Sequence, residues 1–218
     1  MKKLLLLPLF AWLSFSLAFS QERKMEIYEV NTLADVVLYG EITSTKGKNF
    51  TLSVQEVVAG DFSEKEIAVG KVKNSSTAKR WGKYTVGEVV MVFLVNNDGA
   101  WKVVGKNGEG EKLISGETAY LDSRGGGLKN SFGYHQVNAT VNIYAEKADL
   151  KELCSALKDT KSCYTIETEE KKDRAGLPFV ARYAVQSTEL DEAAMDKLRS
   201  SSNFHNLIIS IAEKHFRP

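Results

Sequence analysis

The chain reads as a mainly β protein with an α+β C-terminal part: a small antiparallel five-stranded OB-type barrel followed by additional strands and helices. Three observations predict this. Between Asp35 and Lys106 apolar residues recur at alternate positions or in short runs, as strands require. Turn sequences separate those runs at short intervals. After Ala145 the apolar spacing lengthens to i, i+3, i+4 and i+7, which is helical.

The elements follow in order. Lys2 and Lys3 precede an apolar run from Leu4 to Phe19, and Ala18-Phe19-Ser20 places small residues at −3 and −1. This is the pattern of a secretory signal peptide cleaved after Ser20, so the chain is expected to be secreted or periplasmic. Val36 to Ile42 is rich in β-branched and aromatic residues, with Gly40 a candidate bulge. Phe50, Leu52 and Val54 alternate with Thr51, Ser53 and Gln55, and Lys46-Gly47-Lys48-Asn49 suits the reversal between these two strands. Ile67 and Val69 mark a third strand. Val89 to Val95 is apolar on both faces and should be the most buried. Asn96-Asn97-Asp98-Gly99 is a strong turn signal, after which Trp101 to Val104 returns.

Five short strands joined by one longer connection (Lys73 to Gly87) fit a closed OB-type barrel. A seven-stranded sandwich competes, because strands are also expected at Glu117–Asp122 and Val137–Tyr144. Gly105 to Gly116 and Arg124 to Gly133 read as loops. Ala145 to Lys158 reads as a helix, and Tyr164–Glu167 and Phe179–Val185 as strands around a charged loop, Glu169 to Arg174. Thr188 is expected to cap a helix from Glu189 to Arg199. Phe204, Leu207, Ile208, Ile211 and Phe216 stripe a final helix. The expected division is a signal peptide over 1–20, a β domain over 21–144 and an α+β region over 145–218.

Composition narrows function. The leader holds two of the 29 basic residues and none of the 28 acidic ones, so the exported form carries 27 against 28, a net charge of −1. That balance argues against a nucleic-acid partner. No second apolar stretch reaches spanning length, so stable membrane insertion of the mature chain is not expected. Cys154 and Cys163, close in sequence and in an oxidising compartment, predict a disulfide. A redox motif has two residues between its cysteines; these have eight.

Ala34-Asp35-Val36-Val37, then Val57-Val58-Ala59-Gly60-Asp61, then Val86-Gly87-Glu88 ahead of an apolar strand, stand in a known order. Over about Thr32 to Lys106 the chain resembles the netrin-like domain, the OB-type barrel of tissue inhibitors of metalloproteinases and of secreted bacterial proteins. The resemblance implies the fold and extracytoplasmic placement. It does not imply zinc-protease inhibition, because those inhibitors chelate zinc through a mature N-terminal Cys, and here that position is Gln21, with no Cys before Cys154.

Candidate chemistry is sparse. His135, His205 and His215 do not form an i, i+4 metal pair, so no metal and no cofactor are expected. Ser200-Ser201-Ser202 lies near His205, but a nucleophile needs a base arranged in space. The richest polar stretch is Lys79-Arg80-Trp81-Gly82-Lys83-Tyr84, where cations and aromatics mix in a barrel loop. Lys79, Arg80, Trp81, Lys83 and Tyr84 are therefore the candidate ligand-binding residues. The plainer reading has Trp81 and Tyr84 capping the barrel's end.

The function expected is that of a secreted or periplasmic, non-enzymatic binding protein acting through barrel loops on a protein or a glycan or other extracellular polymer. A hydrolase or metal-dependent enzyme with its site in the C-terminal region, and a structural component of an envelope assembly, are the alternatives.

Overall fold

The computed structural model describes residues 25–72, 80–105, 108–121, 147–172, 178–187 and 190–216. The leader, Lys79, His135 and the strand expected at Val137–Tyr144 lie outside them. A short helix, α1 (Ile27–Leu33), leads into the barrel strands β1 (Val36–Ser44), β2 (Asn49–Ala59), β3 (Glu66–Gly70), β4 (Val89–Asn97) and β5 (Ala100–Val103). They hydrogen-bond in the order β1-β2-β3-β5-β4, and β4 returns to β1, which closes the barrel. The fold class is the one the alternation predicts. One seam departs from the all-antiparallel expectation: β3 and β5 run parallel, joined only at Val69–Trp101 and Gly70–Lys102.

Turn chemistry sets the hairpins. At the β4–β5 reversal Asp98 and Gly99 have φ of 52° and 84°, the paired positive values of a tight two-residue turn. Gly60, at the end of β2, has φ of 81°, and a Cβ there would sit 2.2 Å from the Asp35 carbonyl oxygen. Only glycine lets β2 end so close to β1.

Beyond the barrel the sheet continues through β6 (Glu111–Ser115), β7 (Thr118–Tyr120) and β8 (Lys147–Asp149). β6 corrects the expected loop over Gly105 to Gly116. It pairs with the first half of β4, on the edge that β5 occupies along the second half. Its buried Glu111 and Lys112 disguise it as polar surface in the sequence.

The helix expected from Ala145 begins later, after β8, as α2 (Leu150–Thr160), because Asp149 caps it by accepting from the Glu152 amide. The charged stretch from Glu169 is not a loop up to Lys172. It belongs to β9 (Tyr164–Lys172), which pairs with β10 (Pro178–Gln186) in a separate two-stranded ribbon. Helix α3 (Glu192–Ser201) is capped by Asp191 rather than Thr188. Ser202 then separates it from α4 (Asn203–Glu213), whose buried stripe is His205, Ile208, Ile209 and Ala212.

Two cores result. One fills the barrel with Leu38, Ile42, Phe50, Leu52, Val90, Val92 and Leu94. The other lies outside it, where Val37, Met91 and Phe93 of the same strands meet α1, α2 and α4 through Tyr28, Leu153, Leu157 and Ile208. Alternation along β1 and β4 feeds both, since successive side chains point to opposite faces. Among the described residues no helix is long and apolar enough to cross a membrane.

Candidate functional site

The segment Arg80–Glu88 closes one end of the barrel, and it does so with buried charge. The Arg80 guanidinium lies 4.0 Å from the ring centres of both Trp81 and Tyr84. Its Nε donates to Glu111 at 2.6 Å and its Nη2 to Glu88 at 2.5 Å. Trp81 Nε1 donates to the other Glu88 oxygen at 2.7 Å, and the Tyr84 hydroxyl donates to Glu111 at 2.5 Å while accepting from the Val72 amide. Burial works against the Arg80 cation, but Glu111 and Glu88 more than restore it, so its pKa is raised. Burial pushes the Glu111 carboxyl up from its ordinary value, opposed by Arg80 and Tyr84.

Of the candidate residues, Arg80 and Trp81 are each only 3% exposed. Tyr84 is half-buried, stacked on Phe50. Lys83 alone among the described members is exposed. These side chains are engaged in sealing the barrel, which is the packing role the sequence also allowed.

A disulfide was expected between Cys154 and Cys163; the structure corrects this, for both are buried free thiols. Helix α2 separates them. From Cys154 to its last residue, Thr160, the axis already advances about 9 Å, more than a bridged pair tolerates. Burial first, then Glu56 and Asp149, push the Cys154 thiol up to about 12. Burial and Asp159 push Cys163 to about 11. Neither supplies thiolate at neutral pH.

His205 joins a serine and a carboxylate in space. Its Nδ1 lies 2.9 Å from Ser202 Oγ and its Nε2 3.1 Å from Asp159 Oδ2. The order resembles a nucleophile–base–orienter string, but Ser202 Oγ is the α4 cap and already accepts from the amides of Phe204 and His205. His205 is buried at 2% exposure, and none of the three residues lines the cleft between β2 and α2. It ties the start of α4 to the end of α2. His215 stacks on Tyr28, away from it. Among the described residues no group of three His, Cys, Asp or Glu could hold a metal ion.

The described cleft lies elsewhere, between β2 and α2, with a volume of about 600 Å³. Register shifts in the β1–β2 ladder flank the pairs Leu38–Val57 and Tyr39–Glu56, so β2 bends there and leaves a gap against α2. Val57, Val58 and Leu150 give the cleft apolar surface. Cys154 lies in its wall, and Tyr39, Glu56, Glu117, Asp149, Lys151 and Lys158 also line it. None of the ion pairs among the described residues includes any of these five charged groups. Burial, then Glu56, then Cys154 raise the Tyr39 phenol, which stays protonated.

Sequence reasoning missed this site. One signal was present: the Phe50-Leu52-Val54 alternation calls for an apolar residue at 56, finds Glu56, and is followed by two adjacent apolar residues, Val57 out of phase and Val58 in phase. A phase slip of that kind marks a bulge.

Comparison of the chain with protein-family models, with curated proteins and with solved structures finds no match.

Proposed function

We propose that the chain is an exported, non-enzymatic binding protein whose partner seats in the cleft between β2 and α2. The cleft itself carries this reading. Its volume is that of a ligand site, and its five charged groups, drawn from three separate parts of the chain, are unpaired with one another. Export rests on the Lys2–Ser20 pattern. The non-enzymatic reading is supported by the histidine whose two ring nitrogens are both engaged and by thiols held protonated.

The netrin-like resemblance fits the strand order. Asp35 accepts from the Asn96 amide, Gly60 permits the close end of β2, and Glu88 anchors Arg80 and Trp81. The barrel in this reading is the scaffold, and its sealed end is not the contact surface.

The test is capture from the extracytoplasmic fraction of the native host by immobilised chain. Ser155 is exposed on the cleft wall, so Ser155→Trp fills the cleft without touching either core. Lys83→Ala alters the barrel end. A partner kept by Lys83→Ala and lost by Ser155→Trp supports the reading; the reverse pattern returns the contact to the barrel end.

A further inference from the structure

We infer that Cys154 and Cys163 form a redox-sensitive conformational switch: joining their sulfurs and seating α1, α4 and the end of β10 on α2 are mutually exclusive. The inference goes beyond the proposed function, because it concerns whether the cleft exists rather than what fills it. Three observations carry it.

The first is distance. Cys163 Sγ donates to the Asp159 carbonyl at 3.5 Å. Asp159 lies five residues past Cys154 on α2, about 7.5 Å along the axis, whereas bonded sulfurs stand about 2 Å apart. The two sulfurs meet only if the stretch between them leaves the helix. In an unfolded chain nothing holds them apart, since so short a loop closes readily.

The second is what that stretch holds. Asn31 Nδ2 of α1 donates to the Leu157 carbonyl at 2.9 Å and to Thr160 Oγ1 at 3.4 Å. Lys161 Nζ returns the contact, donating to the Asn31 carbonyl at 2.7 Å and to the Ala34 carbonyl. Asp159 Oδ2 meets His205 of α4. The Cys163 carbonyl accepts from the amide of Ser187, just past β10, at 2.9 Å. Ala156 and Leu157 are fully buried in the second core. Residues 156–163 are thus a hub for three other elements, and they are the residues a bridge would unwind. Ser155 and Lys158 move with them, so the cleft loses its α2 wall.

The third is protection. Cys163 is fully buried and Cys154 is 8% exposed. Both thiols stay protonated at neutral pH in the folded chain, so oxidation proceeds from the opened chain. There one cysteine thiolate attacks a low-molecular-weight disulfide, such as oxidised glutathione, and expels one glutathione. The second thiolate attacks the protein sulfur of that mixed disulfide and expels the other. Two electrons pass to the glutathione disulfide, and the two cysteine protons end on the released thiols. A reduced chain folds and is then shielded; a bridged chain is held open.

The experiment uses the exported form, residues 21–218, unfolded in urea with either dithiothreitol or oxidised glutathione and then diluted into buffer. Intact mass identifies the bridged chain by its loss of two hydrogens. The reduced chain is expected to regain its helical circular dichroism and its urea midpoint. The bridged chain is expected to regain neither until dithiothreitol is added. Its amide exchange should be faster by roughly tenfold or more in α1 and α4 as well as in α2. The folded reduced chain, placed in oxidised glutathione, should bridge roughly a hundredfold more slowly than in urea. Three results each overturn the inference: a bridged chain with the reduced chain's helicity and midpoint, faster exchange confined to α2, or equal oxidation rates folded and unfolded.

Discussion

Arg80 and Glu111 form an ion pair at 2.6 Å with both side chains fully withdrawn from solvent. Such a pair is an obligation as much as a support, because each charge is tolerated only while the other is present. Glu88 and the two flanking rings complete the neutralisation. Arg80→Ala strands two carboxylates in the barrel end and is expected to destabilise by about 3–5 kcal/mol in urea unfolding. Arg80→Met combined with Glu111→Leu and Glu88→Gln is expected to recover much of that loss, since replacing every charged member of a buried cluster is often neutral.

Trp81→Phe keeps an aromatic ring at the position, gives up the fused five-membered ring and removes the Nε1–Glu88 bond. The expected cost is about 1.5–3 kcal/mol, the range for hydrogen bonds to charged groups. A loss below about half a kcal/mol would show that Arg80 alone holds Glu88.

Alkaline pH is expected to lower stability through the cysteines. The unfolded thiol releases its proton near 9, whereas folded Cys154 holds it to about 12 and Cys163 to about 11. Between those values the unfolded chain binds fewer protons, so the contribution is full below pH 9 and is lost as pH rises above it. Cys154→Ala should flatten the decline measured by urea midpoints from pH 8.5 upward, relative to wild type (roughly one thiol's share of the linkage). Alkylation of native thiols at neutral pH should also be slow beside that in urea.

Ser202→Ala removes the α4 cap and is expected to cost about 1 kcal/mol. Were the Ser202–His205–Asp159 string catalytic, the same change would abolish hydrolysis of an activated ester. Unaltered background hydrolysis with reduced stability is the expected pair of results.

Gly60→Ala is expected to destabilise by more than about 1 kcal/mol, since it demands positive φ from an L residue and drives a methyl onto the Asp35 carbonyl. Gly47→Ala, in open space at the β1–β2 turn, meets only the φ penalty and should cost less. Thermal melts of the two variants make the comparison.

The barrel was legible because its strands obey local rules. Alternation set β1 and β2, an apolar run set β4, and the Asn96–Gly99 turn joined β4 to β5. What stayed hidden depends on partners distant in sequence. β6 hides behind Glu111, whose acceptability inside comes from Arg80, 31 residues earlier. α1 carries Glu29 and Asn31, polar by composition yet buried, because Arg182 and the Leu157 carbonyl await them. The cleft is absent from any local pattern save the phase slip at Glu56, for it is made by a bend in one element and the placement of another. The cysteines misled for the same reason: nine positions apart allows a bridge in a loop but not along a helix.

The narrow parallel seam has a dynamic consequence. Two residue pairs, Val69–Trp101 and Gly70–Lys102, are all that shut the barrel, whereas β1 and β2 share a ladder of seven. Opening there exposes one short stretch and leaves every hairpin intact, so it is the least expensive excursion available to the cylinder. Amide deuteration should therefore enter at 69–70 and 101–102 well before it reaches β1, and the protein in solution would breathe along a single line.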